Sequence, residues 1–241
     1  MRPFTFEPIG LIRSCFTDKF GIPRQVGLVP AAHGRLVLHP PYDREEALQG
    51  LDGFSHLWII FVFHDCIGAG WRPTVRPPRL GGRGKVGVFA SRAPYRPNPI
   101  GISSVRFAGL ARDHDGLTLR LAGIDLLDGT PVLDIKPYVP YADSHPGADH
   151  GFASEPPGAD WAIAFSDQAE RQLRVADADG SRRLRQLIVQ VLQQDPRPGY
   201  MDRYPERTGF CMRLYDLEIR WRLEEGGSSL RVTSIAPVGA E

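Results

Sequence analysis

Phe54-Ser55-His56-Leu57-Trp58-Ile59-Ile60-Phe61-Val62-Phe63-His64-Asp65 is the stretch on which the fold turns. From Trp58 to Phe63 it is unbroken β-branched and aromatic sequence, which suits a pleated sheet better than a helix. The run predicts a strand buried on both faces for much of its length. It is far too short to cross a membrane as a helix. It ends on two ionisable residues, His64 and Asp65, as a buried strand does where it emerges at a site or at solvent.

Working outward, shorter runs of the same kind surround it. Residues 5–13, Gly34–His39, Val86–Ala90, Ile102–Leu110, Leu117–Ile124 and Val132–Ile135 read as strands. Asp113-His114-Asp115-Gly116 and Asp128-Gly129 read as turns, and Asp43–Leu48 as one or two helical turns entered through Pro40-Pro41. Many short strands with scarcely a helix predict a β-barrel or a sandwich. Tyr141–Asp160 is polar, aperiodic and rich in Gly, Pro, Ala and Asp, which marks a linker. Beyond it the pattern changes to a strand at Trp161–Phe165, helices at Ser166–Ala176 and Ser181–Gln193, and a closing hairpin. In the second helix Leu184, Leu187, Ile188, Val191 and Leu192 keep helical spacing, the mark of a core-facing stripe. In the hairpin Leu217, Ile219, Trp221 and Leu223 alternate with charged residues before Gly226-Gly227 turns the chain.

Composition sets bounds on function. At 241 residues, 42% hydrophobic and 24% charged, the chain has the make-up of an ordinary globular protein. Cys15, Cys66 and Cys211 are few and widely spaced, so neither a disulfide framework nor a metal knuckle is expected. No histidine cluster has metal-ligand spacing, and no metal is expected. The N-terminal residues lack an apolar signal core, which leads to an expected cytoplasmic location. Net charge is only +1, but its distribution is uneven: no Asp or Glu lies between Asp65 and Asp113, where eight arginines and Lys85 fall. Such a segment attracts phosphates or carboxylates unless acids from elsewhere neutralise it.

Inside that segment lies Ser91-Arg92-Ala93-Pro94-Tyr95-Arg96-Pro97-Asn98-Pro99-Ile100-Gly101. Its prolines exclude a helix or a central strand. A stiff loop between two strands presents two arginines and an asparagine in a preset geometry, either as a binding site or as a plain rigid crossover. Gly82-Arg83-Gly84-Lys85-Val86-Gly87 spells a dinucleotide fingerprint, but Pro77-Pro78 precedes it and a strand-like run follows, so it is read as a loop over a ligand. The acids of Asp125–Asp134 either satisfy turn amides or accept hydrogen bonds from a ligand. Asp195-Pro196-Arg197-Pro198-Gly199-Tyr200 is either a helix-ending turn or a phosphate contact with a stacking aromatic.

Four strings carry a resemblance to a known family: residues 92–101, Asp125-Leu126-Leu127-Asp128-Gly129-Thr130-Pro131-Val132-Leu133-Asp134-Ile135-Lys136-Pro137-Tyr138, residues 54–59, and residues 195–200. Together with Trp71–Gly82 they resemble the TsaA-like, or TrmO, tRNA methyltransferase family along essentially the whole chain. The resemblance implies a mainly β chain: an N-terminal β-barrel domain at 1–140 that binds S-adenosylmethionine, a linker at 141–160, and a small α+β domain at 161–241. It implies a homodimer that methylates N6 of the threonylcarbamoyladenosine next to the anticodon of threonine tRNA. The cofactor residues it implies are Pro23, Arg24, Gln25, His64, Asp65, Arg92, Ile102, Asp125, Leu126, Leu127 and Asp128. Asn98 is the implied catalytic residue, since it partly resembles the Asn/Asp-Pro-Pro-aromatic loop of other amino-methyltransferases, although Ile100 follows Pro99 here. Arg96, Lys136, Arg197 and Tyr200 are the expected substrate-binding residues. A non-catalytic cofactor-binding adaptor, and a methyltransferase for another RNA or a small molecule, are alternatives that the sequence leaves open.

Overall fold

The computed structural model describes residues 3–80, 84–153, 161–197, 201, 204, 206–224 and 229–239. Six strands of the first part close on themselves: β1 (Gly10–Ser14), β2 (His33–Leu38), β3 (His56–Val62), β6 (Ile100–Asp113), β7 (Gly116–Ala122) and β8 (Pro131–Pro137). They hydrogen-bond in the order β1-β2-β7-β6-β3-β8, and β8 returns to β1 through Gly10 opposite Val132. Between β3 and β6 the chain leaves the ring for a two-stranded ribbon, β4 (Thr74–Val75) with β5 (Val86–Gly87).

The expectation for Phe54–Asp65 is corrected in a useful way. Its strand is not buried on both faces but alternates, with Leu57, Ile59 and Phe61 turned inward at 0–5% exposure and His56, Trp58, Ile60 and Val62 half-buried outside. The run reads as continuous because Trp58 has its own outer cover: Tyr138 packs 5.6 Å from its ring, and its indole N–H donates to Asp143 on the short helix α1 (Pro140–Asp143). Ile12, Leu36, Val105, Leu119, Leu121 and Val132 complete the interior from the other five strands. Each is an inward residue of a period-2 pattern. Val86–Ala90 is also shorter as a strand than expected, since Val88–Ala90 coils into a single 3-10 turn.

In the second part β9 (Ala162–Phe165), α2 (Asp167–Ala176), α3 (Leu184–Gln193), β10 (Gly209–Leu214), β11 (Leu217–Leu223) and β12 (Ser229–Pro237) form a four-stranded sheet, order β10-β11-β12-β9, with two helices. Ser166 caps α2 by accepting the Ala169 amide at 3.1 Å, one of the helix's orphan donors. The Leu184–Leu192 stripe of α3 is fully buried, as its spacing predicts. The hairpin is therefore half of a larger sheet, in which Phe210, Met212 and Leu214 of β10 alternate inward. The Gly226-Gly227 turn lies outside the described residues.

The two parts share one contiguous apolar core. Hydrogen bonds that cross between them include Ala31 N–H to Gln190 Oε1 at 2.8 Å, Tyr215 N–H to the Cys15 carbonyl at 2.7 Å, and the Thr17 hydroxyl to the Tyr215 carbonyl at 2.9 Å. No helix among the described residues is long and apolar enough to cross a membrane.

Candidate active site

The end of β3, the start of β6 and the β7–β8 loop meet at one rim of the ring, where Val62 pairs with Ile100 and Phe61 with Val132. A cavity of about 450 Å³ opens there. That is within the range of small-molecule sites. Its apolar walls come from Phe61, Ile102 and Leu126, and its polar groups from Arg24, Gln25, His64, Asp65, Arg92 and Asp125. Pro23 and Leu127 line it as well. Ten of the eleven expected cofactor residues thus converge from five separate places in the sequence.

Asp128 does not line the cavity. Its carboxylate accepts the Ser14 amide at 2.9 Å and lies 3.6 Å from the Arg13 guanidinium, so it ties the β7–β8 loop to β1. Asp125 differs in kind. It borders the cavity with Oδ1 sealed from solvent and without a hydrogen-bond partner. Burial pushes its carboxyl up to about 6, against the opposing pull of the Ser103 hydroxyl and the Arg92 charge. A buried acceptor left unpaired is costly, and such groups cluster at functional sites. A ligand donor or cation entering the cavity would satisfy it.

Other charges here are committed. Asp65 pairs with Lys19 at 3.4 Å, and His64 Nε2 lies 3.4 Å from the same carboxylate. Arg92 donates to Gln25 Oε1 at 2.7 Å, a charge-assisted bond that links the proline-rich loop to the 23–25 loop. Arg24 reaches across the molecule, 3.5 Å from the carbonyls of Asp195 and Arg197.

The 91–101 loop is as rigid as its prolines suggest. Arg96 lines the cavity, but one guanidinium nitrogen donates to the carbonyls of Val88 at 3.0 Å and Ser91 at 2.7 Å, so it pins the loop's own backbone. Phe63 N–H donates to the Pro99 carbonyl at 2.8 Å and fastens the loop to β3. Asn98 is exposed on the loop, outside the residues that line the cavity, two positions before Ile100 on its rim. It stands where a partner arriving from solvent would meet it.

The remaining substrate candidates are not gathered here. Lys136 is exposed and paired with Asp134 at 2.7 Å, away from the cavity. Arg197 chelates Asp195 through two nitrogens at 2.7 and 2.8 Å and lies over the Trp161 ring at 5.3 Å. It follows the end of α3, where Asp195 N–H bonds back to the Leu192 carbonyl. Tyr200 lies outside the described residues. Asp113, His114 and Asp115 approach one another at a hairpin tip, but Arg35 pairs with both carboxylates.

A second depression of about 1240 Å³ shares Arg24, Gln25, Ser91, Arg92 and Pro94 with the cavity. It is lined further by Arg72, Arg76, Lys85, Phe89, Tyr95, His150 and Phe152, and by no acidic residue among those described. Among the described residues, then, no acid lines this face to neutralise the segment. Sequence reading missed Phe61 and Ser103 as cavity walls and the 150–153 segment as a groove wall. A strand position facing a cavity looks like any core position, and a linker has no periodicity to read. Gly82 and Arg83, expected to overhang a ligand, lie outside the described residues.

With this geometry in place, comparison with known proteins is informative. Residues 11–144 match the tRNA-methyltransferase O N-terminal domain, and residues 158–238 match the TrmO C-terminal domain. A tRNA (adenine(37)-N6)-methyltransferase of Escherichia coli (strain K12) is 48% identical over 232 residues, 94% of this chain and 96% of the relative. A Pseudomonas aeruginosa protein, by name a candidate S-adenosylmethionine-dependent methyltransferase, RcsF, is 52% identical over 219 residues, 89% of this chain and 90% of that one. The crystal structure of TrmO from Pseudomonas aeruginosa superposes with a TM-score of 0.80 at 43% identity, covering 98% of this chain and 99% of the other. The chain belongs to the tRNA-methyltransferase O family of S-adenosylmethionine-dependent methyltransferases.

Proposed function

We propose that the chain methylates N6 of the adenine beside the anticodon in tRNA, with the threonylcarbamoyl-modified adenosine of threonine tRNA as its substrate. One observation carries this reading: a cavity built from the family's motif residues opens directly onto an acid-free, arginine-lined groove. The first suits a small amphipathic cofactor and the second a polyanion. The tRNA (adenine(37)-N6)-methyltransferase relative, at 48% identity over nearly the whole chain, supports adenine N6 as the acceptor.

The residues present fit S-adenosylmethionine. Phe61, Ile102 and Leu126 offer apolar surface for an adenine and thioether chain, and the unpaired Asp125 Oδ1 offers an acceptor for a hydroxyl or ammonium group. Arg92 is placed for a carboxylate. Pro23, Arg24, Gln25, His64, Asp65 and Leu127 form the rest of the lining, while Asp128 acts one layer back through Ser14. The bound cofactor supplies an electrophilic methyl group on a sulfonium.

The protein's share is placement. The N6 nitrogen is a weak nucleophile because its lone pair is delocalised into the ring and, in the threonylcarbamoyl form, into the carbamoyl carbonyl. Asn98 would accept the N6–H and turn that lone pair toward the cavity mouth, where the cofactor would supply the methyl group, and the N6 proton would leave to solvent. Rigid presentation is what this step needs, and the prolines with the Arg96 clamp provide it. We read the closed six-stranded ring as the expected barrel, with domain boundaries near 140 and 161. Ile67 and Trp71, with Ile100 and Ile102 at the cavity, leave apolar side chains exposed, and this supports a homodimer. The cellular setting proposed is the cytoplasm, where tRNA is available.

Nucleoside mass spectrometry of tRNA from cells with and without the protein tests the substrate. Loss of the N6-methyl threonylcarbamoyladenosine peak in the deletion is the expected result, and an unchanged peak would overturn it. Asn98→Ala is expected to lower the methyl-transfer rate by about 100-fold or more while cofactor affinity stays within about twofold. Full activity in that variant removes Asn98 from the chemistry.

A further inference from the structure

Phe89 is 74% exposed, an unusual position for a large aromatic. It sits in the 3-10 turn Val88–Ala90, whose Val88 is buried and whose Val88 carbonyl is held by both Arg96 and the Ser91 hydroxyl. The Arg96 guanidinium lies 5.6 Å from the Phe89 ring centroid. The ring is thus braced from one side by a pinned cation and open to the groove on the other. Across the same groove stands Phe152, 37% exposed, from the segment that joins the two parts of the chain. Arg72 covers the Tyr95 ring at 4.3 Å, while Arg76 and Lys85 stand exposed along the wall.

Fixed aromatic faces between exposed cations are what unpaired nucleotides require: a base stacks on a ring while its phosphate meets a cation. A duplex presents no free base faces and would leave both phenylalanines uncovered. Accepting the tRNA reading above, we propose that this groove holds the unpaired nucleotides flanking the target adenine, with Phe89 and Phe152 as stacking platforms and Arg76 and Lys85 as phosphate contacts. The 150–153 segment is then part of the substrate site and not a passive connection. The enzyme recognises an opened loop, and the splaying of its bases delivers the target amine to Asn98 and the cavity mouth.

The test uses the full chain and a synthetic anticodon stem-loop that carries threonylcarbamoyladenosine at the target position and 2-aminopurine next to it. Stacking on the wild-type protein quenches the fluorescence. Phe89→Ala and Phe152→Ala are each expected to lose part of the quench and to raise KM for the stem-loop by about fivefold or more, the low end of one base stack. Cofactor Kd and kcat at saturating RNA should stay near wild type, and Phe89→Trp should restore both quench and KM. Unchanged quench and KM in both alanine variants, with wild-type protein still methylating the RNA, would overturn the groove assignment and leave the enzymatic reading standing. Wild-type protein that binds the cofactor but methylates neither stem-loop nor full tRNA would instead overturn the enzymatic reading on which the proposal rests.

Discussion

Asp125 joins stability to function in one side chain. Its carboxyl is raised from an ordinary 3.8 to about 6, chiefly by burial, so the folded chain holds a proton there that the unfolded chain has released. Between those two values stability therefore falls as pH rises, and above about 6 the whole penalty, about 3 kcal/mol, is present. Asp125→Asn is expected to stabilise the ligand-free protein at pH 7.5 by up to that amount and to lose the gain as pH falls through 6 toward 4. The same change should weaken cofactor binding at pH 7.5 by about tenfold, because a charged acceptor has become a neutral amide. Urea melts of both proteins at pH 7.5, 6 and 5 check the first claim. A difference in stability that does not vary with pH would show that Asp125 is not the strained acid inferred here.

At the scale of elements, Gly101 shows why β6 must begin as it does. A Cβ added there would lie 2.3 Å from the Phe61 Cζ atom and 2.5 Å from Cε2. The Phe61 ring has little room to yield, since it is 5% exposed and packs edge-on against Phe63 at 5.0 Å. Gly101→Ala should cost about 1–3 kcal/mol and press Phe61 into the cavity, with loss of cofactor affinity. Adding Phe61→Leu should recover part of the stability. Simple additivity of the two changes would deny the contact. The sequence made much of this level readable: apolar runs marked most ring strands and helical spacing marked α3, although the first strand, expected at 5–13, runs only from Gly10 to Ser14. What it obscured has physical causes. Trp58 and Ile60 concealed the one-sided burial of β3, because Tyr138 and Asp143 cover Trp58 from outside. Asp128 and Arg197 sit inside ligand-like motifs yet serve Ser14 and Asp195, and a motif does not say which way a side chain turns. The 150–153 wall had no local signal, since its role depends on being folded back beside residues some sixty positions earlier.

Taken whole, the molecule is almost neutral, at +1, yet one face gathers cations with no acid among its described lining residues. Non-local attraction to RNA should therefore come from the groove and not from the protein as a body. Each phosphate neutralised releases counterions, so the logarithm of affinity falls with the logarithm of salt by about 0.7–0.9 per contact. Arg76→Ala and Lys85→Ala, both exposed in the groove, should each reduce the magnitude of that slope by about 1 and weaken binding for all RNA sequences alike. Arg112 belongs to the same acid-free segment in sequence, but it pairs with Glu45 at 3.0 Å and does not line the groove. Arg112→Ala should leave the slope as it is. Fluorescence anisotropy of a labelled stem-loop between about 50 and 200 mM salt separates the two cases. If all three variants lowered the slope equally, RNA would be reading the basic segment as a diffuse charge. A drop confined to Arg76 and Lys85 means that the fold selects which of its cations touch phosphate.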